Sequence, residues 1–222
     1  NERLEKGNWK IKPEAGTMFR REWFEIIDEA PPNLFSKVRF WDMAGTEKTK
    51  ANNDPDWTAG VKMARDKDFF YILDIVHVQM NPTDTDEVIK KTLEIDGYEV
   101  IQKMEQEPGS SGKKVITDYE KGIFRNYNFE GIPSTGSKVA RANRFSAAAG
   151  AKRIKLLRGP WIEAFIQEAE HFPDGPHDDQ VDGGSGAYNY LSGVSMGKAA
   201  KSPVPEKRHS YNMWENERVP QF

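Results

Sequence analysis

The sequence predicts an α/β domain. One mixed central sheet opens with a three-stranded antiparallel meander, continues in α/β alternation and is flanked by helices. Two observations carry this. Between residues 38 and 80, three apolar stretches follow one another with only polar turns between them. From residue 82 onward, segments with helix start and stop signals alternate with short apolar segments, and no internal repeat is visible.

Residues 1–35 read as an N-terminal linker that packs on the core, with "FRREWFEIID" as its ordered candidate and "APPN" as its stop. "VRFWDMA" (38–44) is the first strand; Val38, Phe40 and Asp42 share one face by the period of two. "GTEKTKANNDPD" is a polar loop. "WTAGVKMARD" (57–66) alternates Trp57, Ala59, Val61 and Met63, a second strand. "DFFYILDIVHVQM" (68–80) is apolar on both faces, as in a central strand.

Residues 82–97 begin with Pro, Thr and Asp and end on Gly97, the punctuation of a helix. A strand follows at 98–107, stopped by Pro108-Gly109, then a helix at 110–125 and a short strand in "NFEGIPS". An alanine-rich helix covers 136–153, a strand 154–159, and a helix 160–172 starting at Pro160, where proline is tolerated. "DDQVDGGSGAYNYLSG" is the last helix, weakened by its glycines. The domain limits are therefore 36–197, with 198–222 a flexible tail.

Composition excludes several classes. The 222 residues are 37% hydrophobic, enough for one well-cored domain with extensions, and the net charge is −3, so only a local basic patch can meet a polyanion. There is no cysteine, which removes disulfides, thiolate metal sites and a thiol nucleophile. No apolar run approaches the ~20 residues of a membrane helix, and no signal peptide is visible, so no membrane role is expected. The chain begins at Asn1 without methionine, as a fragment of something longer would. Phosphate-loop, dinucleotide, zinc-protease and nucleophile-elbow motifs are all missing.

What remains is acid at element ends. Asp42 ends the first strand on the face of Val38 and Phe40, either capping the following turn or bound to a cation. Glu105 and Glu107 end a later strand and share a face with Ile101 and Lys103, either as a solvated edge or as a second acidic point. "HDDQVDGG" puts Asp178, Asp179 and Asp182 beside His177. One Asp suffices to cap a helix; Asp179 and Asp182 fall on one helical face, where like charges need a cation between them. Hard oxygen ligands suit Mg²⁺ or Mn²⁺, and two such ions ~3.5–4 Å apart clamp the attacking and leaving oxygens of a phosphodiester displacement. Residues 136–158 carry Lys138, Arg141, Arg144, Lys152, Arg153, Lys155 and Arg158 and no acid. Lys138, Arg141 and Arg144 step by three along a helix, either a solvated face or a stripe that holds a phosphate backbone without reading bases.

Several blocks in this order resemble the nuclease domain of the large terminase subunit of tailed bacteriophages: "VRFWDMAGTEK", "NDPDWTAGVKM", "YILDIVHVQMNP", "EQEPGSSGK" and "FPDGPHDDQVDG". The resemblance spans roughly residues 36–195. It implies a ribonuclease H-like fold and a metal-dependent endonuclease that cuts concatemeric double-stranded DNA during genome packaging in the host cell cytoplasm.

It implies catalytic acids at Asp42, at Glu107 (with Gly112 five residues on) and at Asp179. Asp178 and Asp182 join them at the metals, and Glu105 and His177 stand as further candidates. Implied partners are a packaging ATPase domain in the full-length protein, the portal and the small terminase subunit. Gly183 departs from the alanine common at that place in the family. The absence of a Walker A motif implies an isolated C-terminal domain. A resolvase- or transposase-type nuclease of the same superfamily, and a catalytically weak DNA- or portal-docking module, are the alternatives.

Overall fold

The computed structural model describes residues 18–44 and 56–193. The expectations for residues 1–17, the 45–55 loop and the 198–222 tail lie outside the described residues.

Seven described strands form one mixed sheet: β1 (Glu25–Ile27), β2 (Ser36–Asp42), β3 (Thr58–Arg65), β4 (Phe70–Val78), β5 (Ile101–Gln106), β6 (Phe129–Pro133) and β7 (Ile154–Leu157). Their spatial order is β1-β7-β4-β3-β2-β5-β6. β2, β3 and β4 pair antiparallel, the expected meander. β5 lies parallel to β2 and β6 parallel to β5. β7 lies parallel to β4, and β1 parallel to β7. β1 comes from the stretch read as a linker. Its neighbours Phe19 and Phe24 are buried and meet Phe145, Phe165 and Phe172 in tilted and edge-on contacts.

Five described α-helices cover the sheet: α1 (Pro82–Asp96), α2 (Ser110–Lys121), α3 (Lys138–Gly150), α4 (Ile162–His171) and α5 (Asp179–Gly193). Strand alternation sorts the side chains into two layers. Val38, Phe40, Val61 and Met63 face α3, α4 and α5 in the larger core. Trp41 and Met104 face α1 and α2, with Ile89, Leu93, Ile116 and Phe124.

The second face also buries charge. Arg39, 1% exposed, donates through Nε and Nη2 to Asp96 (2.6 and 2.9 Å) and through Nη2 to Asp74 (2.8 Å). Lys62 adds a 2.9 Å contact to Asp96. This network joins β2, β3 and β4 to the end of α1.

α5 packs directly on β2 and β3, and its glycines are what permit it. A Cβ on Gly186 would stand 2.4 Å from Phe40 Cε1, and one on Gly183 would stand 2.9 Å from Val61 Cγ2. The glycines therefore do not weaken this helix in place; its fifteen residues are continuous from Asp179 to Gly193. None of the described helices is long and apolar enough to cross a membrane.

Candidate active site

Register brings the acids together. Asp42 pairs with Ala59, Ala59 with His77, and Trp41 with Met104, so Asp42, Glu105 and His77 all sit at one end of the sheet. The start of α5 lies over that end and carries Asp179 and Asp182.

Asp182 is 4% exposed. Its Oδ2 is 3.4 Å from Arg141 Nη2 and 3.6 Å from Lys138 Nζ, and its Oδ1 is buried without a hydrogen-bond partner. Asp179 is also buried, and its carboxylate accepts from its own backbone N–H and from that of Trp57. Asp178 is half-buried; its carbonyl takes the Asp182 N–H at 2.8 Å, and its side chain accepts from Lys138 at 2.6 Å. His177 Nδ1 lies 3.9 Å from Asp179 Oδ2.

Glu105, the fifth residue of β5, lies 3.5 Å from Arg141 Nη2 through Oε1. Glu107 lies past the strand, which ends at Gln106, and is exposed. Asp42, Glu105 and Glu107 nevertheless line one cleft of about 260 Å³ with Ser111 and Gly112. Gly112 is required there: a Cβ would stand 2.1 Å from the Glu107 carbonyl oxygen, so α2 could not start so close to the end of β5.

The acids raise one another's proton affinity. Burial, then the negative fields of Glu105, Asp182 and Asp179, hold the Asp42 carboxyl well above the ordinary range, with Lys138 opposing. Burial, then Asp178, pushes Asp179 up to about 6. Burial pushes Asp182 up to about 6 against the pull of Arg141 and Lys138. A buried set of carboxylates that resists ionisation, with one orphan oxygen, suits a cation. The donors are oxygens, the set that Mg²⁺ and Mn²⁺ take. In this conformation no three Asp, Glu or His side chains among the described residues converge tightly enough to hold one ion. Lys138 and Arg141 stand between the acids instead.

The basic residues divide. Lys138, Arg141 and Arg144 follow the side of α3 that runs along α5, where Arg144 Nη2 donates to Ser192 at 3.2 Å. Lys152 and Arg153 precede β7, whose Ile154 pairs with Phe70 at the start of β4. They therefore lie at the end of the sheet opposite Asp42. Arg153 Nε donates to the Asp68 carbonyl, and Lys155 and Arg158 pair with Glu25 and Asp28.

Sequence reasoning missed Glu168 on α4. It accepts from Val181 N–H at 2.8 Å and Gln180 Nε2 at 2.7 Å, fastening the first turn of α5. Burial pushes its carboxyl up to about 7. Its partners lie in another helix, so no local signal marks it.

A mixed sheet with this strand order, carrying acids at the ends of adjacent parallel strands and on the helix across them, defines a ribonuclease H-like domain. The model of the terminase RNase H-like domain family matches residues 39–191, and the chain belongs to that family.

Similar solved structures share the fold at low identity. The large terminase of a thermophilic bacteriophage is 14% identical with a TM-score of 0.54, covering 80% of this chain and 46% of that one. The human cytomegalovirus terminase nuclease domain, Mn-soaked with inhibitor bound, is 12% identical with a TM-score of 0.53, covering 71% and 83%. The large terminase nuclease domain of bacteriophage SPP1 with bound Mn is 16% identical with a TM-score of 0.51, covering 77% and 97%. This chain spans about half the length of the thermophilic phage protein. No curated protein matches the sequence.

Proposed function

We propose that this domain is a metal-dependent endonuclease that cuts concatemeric double-stranded DNA, with little sequence specificity, as part of a viral genome-packaging terminase large subunit. The observation that carries the reading is the convergence of Asp42, Glu105, Asp179 and Asp182 at one end of the sheet, with a buried unpartnered oxygen on Asp182. The Mn-bound SPP1 domain and the Mn-soaked cytomegalovirus domain support a divalent ion. Asp42, Glu105 and Asp182 would hold Mg²⁺ or Mn²⁺ in a two-ion site. Asp179 would complete it, Asp178 and His177 would stand behind, and Glu107 would stand at the cleft's edge. When bound, the ions would lower the pKa of the attacking water and neutralise charge developing at phosphorus.

The chain's own part is positional. Asp42 and Glu105 ride on adjacent paired strands and so keep a fixed spacing. α5 holds Asp179 and Asp182 over them because Gly183 and Gly186 let it approach. Lys138 and Arg141 reach the same point from α3 and would turn to a DNA phosphate once cations neutralise the acids. Arg144 extends that stripe. Lys152 and Arg153, at the far end of the sheet, do not suit contact with the same phosphates.

In the full-length protein the domain would act beside a packaging ATPase, with the portal and small terminase subunit as partners in the host cell cytoplasm. One observation favours a second reading, a catalytically weak DNA- or portal-docking module: Lys138 and Arg141 already occupy the space between the acids.

Supercoiled plasmid with Mn²⁺ or Mg²⁺ separates them. The nuclease reading expects cutting that Asp42→Asn and Asp182→Asn reduce by more than about 100-fold, beyond the usual effect of losing a supporting residue. It expects Glu105→Gln to be more damaging than Glu107→Gln. Intact plasmid under both metals, or variants that cut as well as wild type, would leave the docking module.

A further inference from the structure

A cavity of about 430 Å³ adjoins the acid cluster on the β4 side, lined chiefly by Trp57, His77, Gln167, His171, His177 and Gln180. Two of its rings are already stacked: Trp57 and His77 have centroids 4.4 Å apart at 27°. His177 meets Trp57 edge-on at 6.2 Å. Three polar atoms on these side chains are buried and without a hydrogen-bond partner: Trp57 Nε1, His77 Nε2 and Gln180 Oε1. Gln180 is 1% exposed and is held in place by Glu168, which accepts from its Nε2 at 2.7 Å. Buried polar groups are rarely left unpaired in folded proteins, so three beside one cavity set this wall apart from ordinary apolar core.

Resting on the DNA reading above, we infer that this cavity receives an unpaired nucleobase of the strand being cut, next to the scissile phosphate. Aromatic and imidazole faces supply stacking that every base can use. Gln167 and Gln180 place amides beside a base edge, each with one N–H already given to Glu163 and Glu168 at 3.0 and 2.7 Å. The cavity and the acids share a wall: the Trp57 backbone N–H is bonded to the Asp179 carboxylate, and His177 lies 3.9 Å from it. A base in the cavity therefore places its own phosphate beside the acids.

Burial, then the neighbouring His177, lowers His77 to about 4, so its ring is a neutral stacking surface and not a phosphate-binding cation. The histidines do not form a metal site: no three His, Asp or Glu among the described residues group to hold an ion, and His171 Nδ1 is already within 2.7 Å of the Gln167 carbonyl. A duplex base must leave its stack to enter. That is easiest at a mismatch, a frayed end or a nick.

The test uses the full chain in EDTA, where nothing is cut, and two duplexes that differ at one position: an unpaired 2-aminopurine or an abasic site. Wild type is expected to bind the 2-aminopurine duplex more tightly and to change its emission on binding. Trp57→Ala is expected to lose about 5–150-fold in affinity for that duplex, the effect of removing one base-stacking ring, and nothing for the abasic one. Trp57→Phe keeps a stacking face and should retain most of the difference, which separates lost stacking from lost folding. Equal losses on both duplexes, or 2-aminopurine emission unchanged at saturation, would overturn the pocket. Plasmid cutting in Mn²⁺ is measured in parallel. Cutting that depends on Asp42, without base-dependent binding, sinks only the pocket; no DNA binding at all sinks both readings.

Discussion

Replacing Asp182 by Asn is expected to stabilise the metal-free domain at neutral pH. The carboxyl sits at about 6 in the folded chain against an ordinary value of 3.8, a difference of about two pH units. Each unit is worth about 1.4 kcal/mol, so ionised Asp182 costs the fold about 3 kcal/mol above pH 6. That figure already includes the opposing pull of Arg141 at 3.4 Å and Lys138 at 3.6 Å, so Asn is expected to gain about 3 kcal/mol. For a domain of this size that is about 6–12 °C in Tm.

The pH dependence has a fixed sign. The folded pKa lies above the unfolded one, so the native state holds the proton more tightly. The Asp182 contribution to stability is therefore most favourable at low pH, falls as pH rises from about 4 to about 6, and then levels. Asp179 acts over the same window, and Glu168 extends it to about 7.

Melting in EDTA at pH 5 and pH 8 should show wild type losing stability between them and Asp182→Asn losing less. Mn²⁺ at 100 times its Kd should add about 2.7 kcal/mol to wild type and far less to the variant. A variant that melts below wild type at pH 8 in EDTA, or that keeps the full pH slope, would refute the reasoning.

Three further outcomes follow from the packing. Gly186→Ala puts a methyl 2.4 Å from the Phe40 ring and should cost about 1–3 kcal/mol in urea unfolding, with plasmid cutting reduced because α5 is lifted from the sheet. Unchanged stability would mean α5 is not held by that contact. Asp96→Ala leaves Arg39 buried without its main partner and should cost about 3–5 kcal/mol, read as a lower urea midpoint. Lys138→Met removes the ammonium between Asp178 and Asp182. Since Lys138 is half-exposed, the lost attraction is about 1 kcal/mol, and Mn²⁺ should bind roughly 5-fold tighter by calorimetry. Weaker binding would argue that Lys138 helps shape the metal site.

The meander was legible because strand alternation is written in neighbouring residues, as in Val38, Phe40 and Asp42. α1 was legible from its termini: Asn81 caps Asp84 N–H at 3.0 Å, and Gly97 closes the helix. The end of β5 was less so. Periodicity put Glu105 and Glu107 on one face, but the strand stops at Gln106 and leaves Glu107 exposed. β1 has only three residues and depends on β7 for its pairing, so no local pattern announces it. Arg39 looked like an ordinary strand residue, and its burial follows from Asp96, 57 positions away.

By itself, the sequence determined the order of elements from β2 onward, the acid-rich start of α5 and the small residues behind it. These depend on local periodicity, capping and composition. Tertiary structure alone decided which charges meet. Lys138 and Arg141 read as a phosphate-binding stripe, yet α3 lies alongside α5 and turns them onto Asp178, Asp182 and Glu105. Trp57, His77 and His177 share a cavity only because the start of β3, the end of β4 and the turn before α5 converge at one end of the sheet. Coulombic and stacking contacts act through space between elements distant in the chain, and no local pattern encodes that distance.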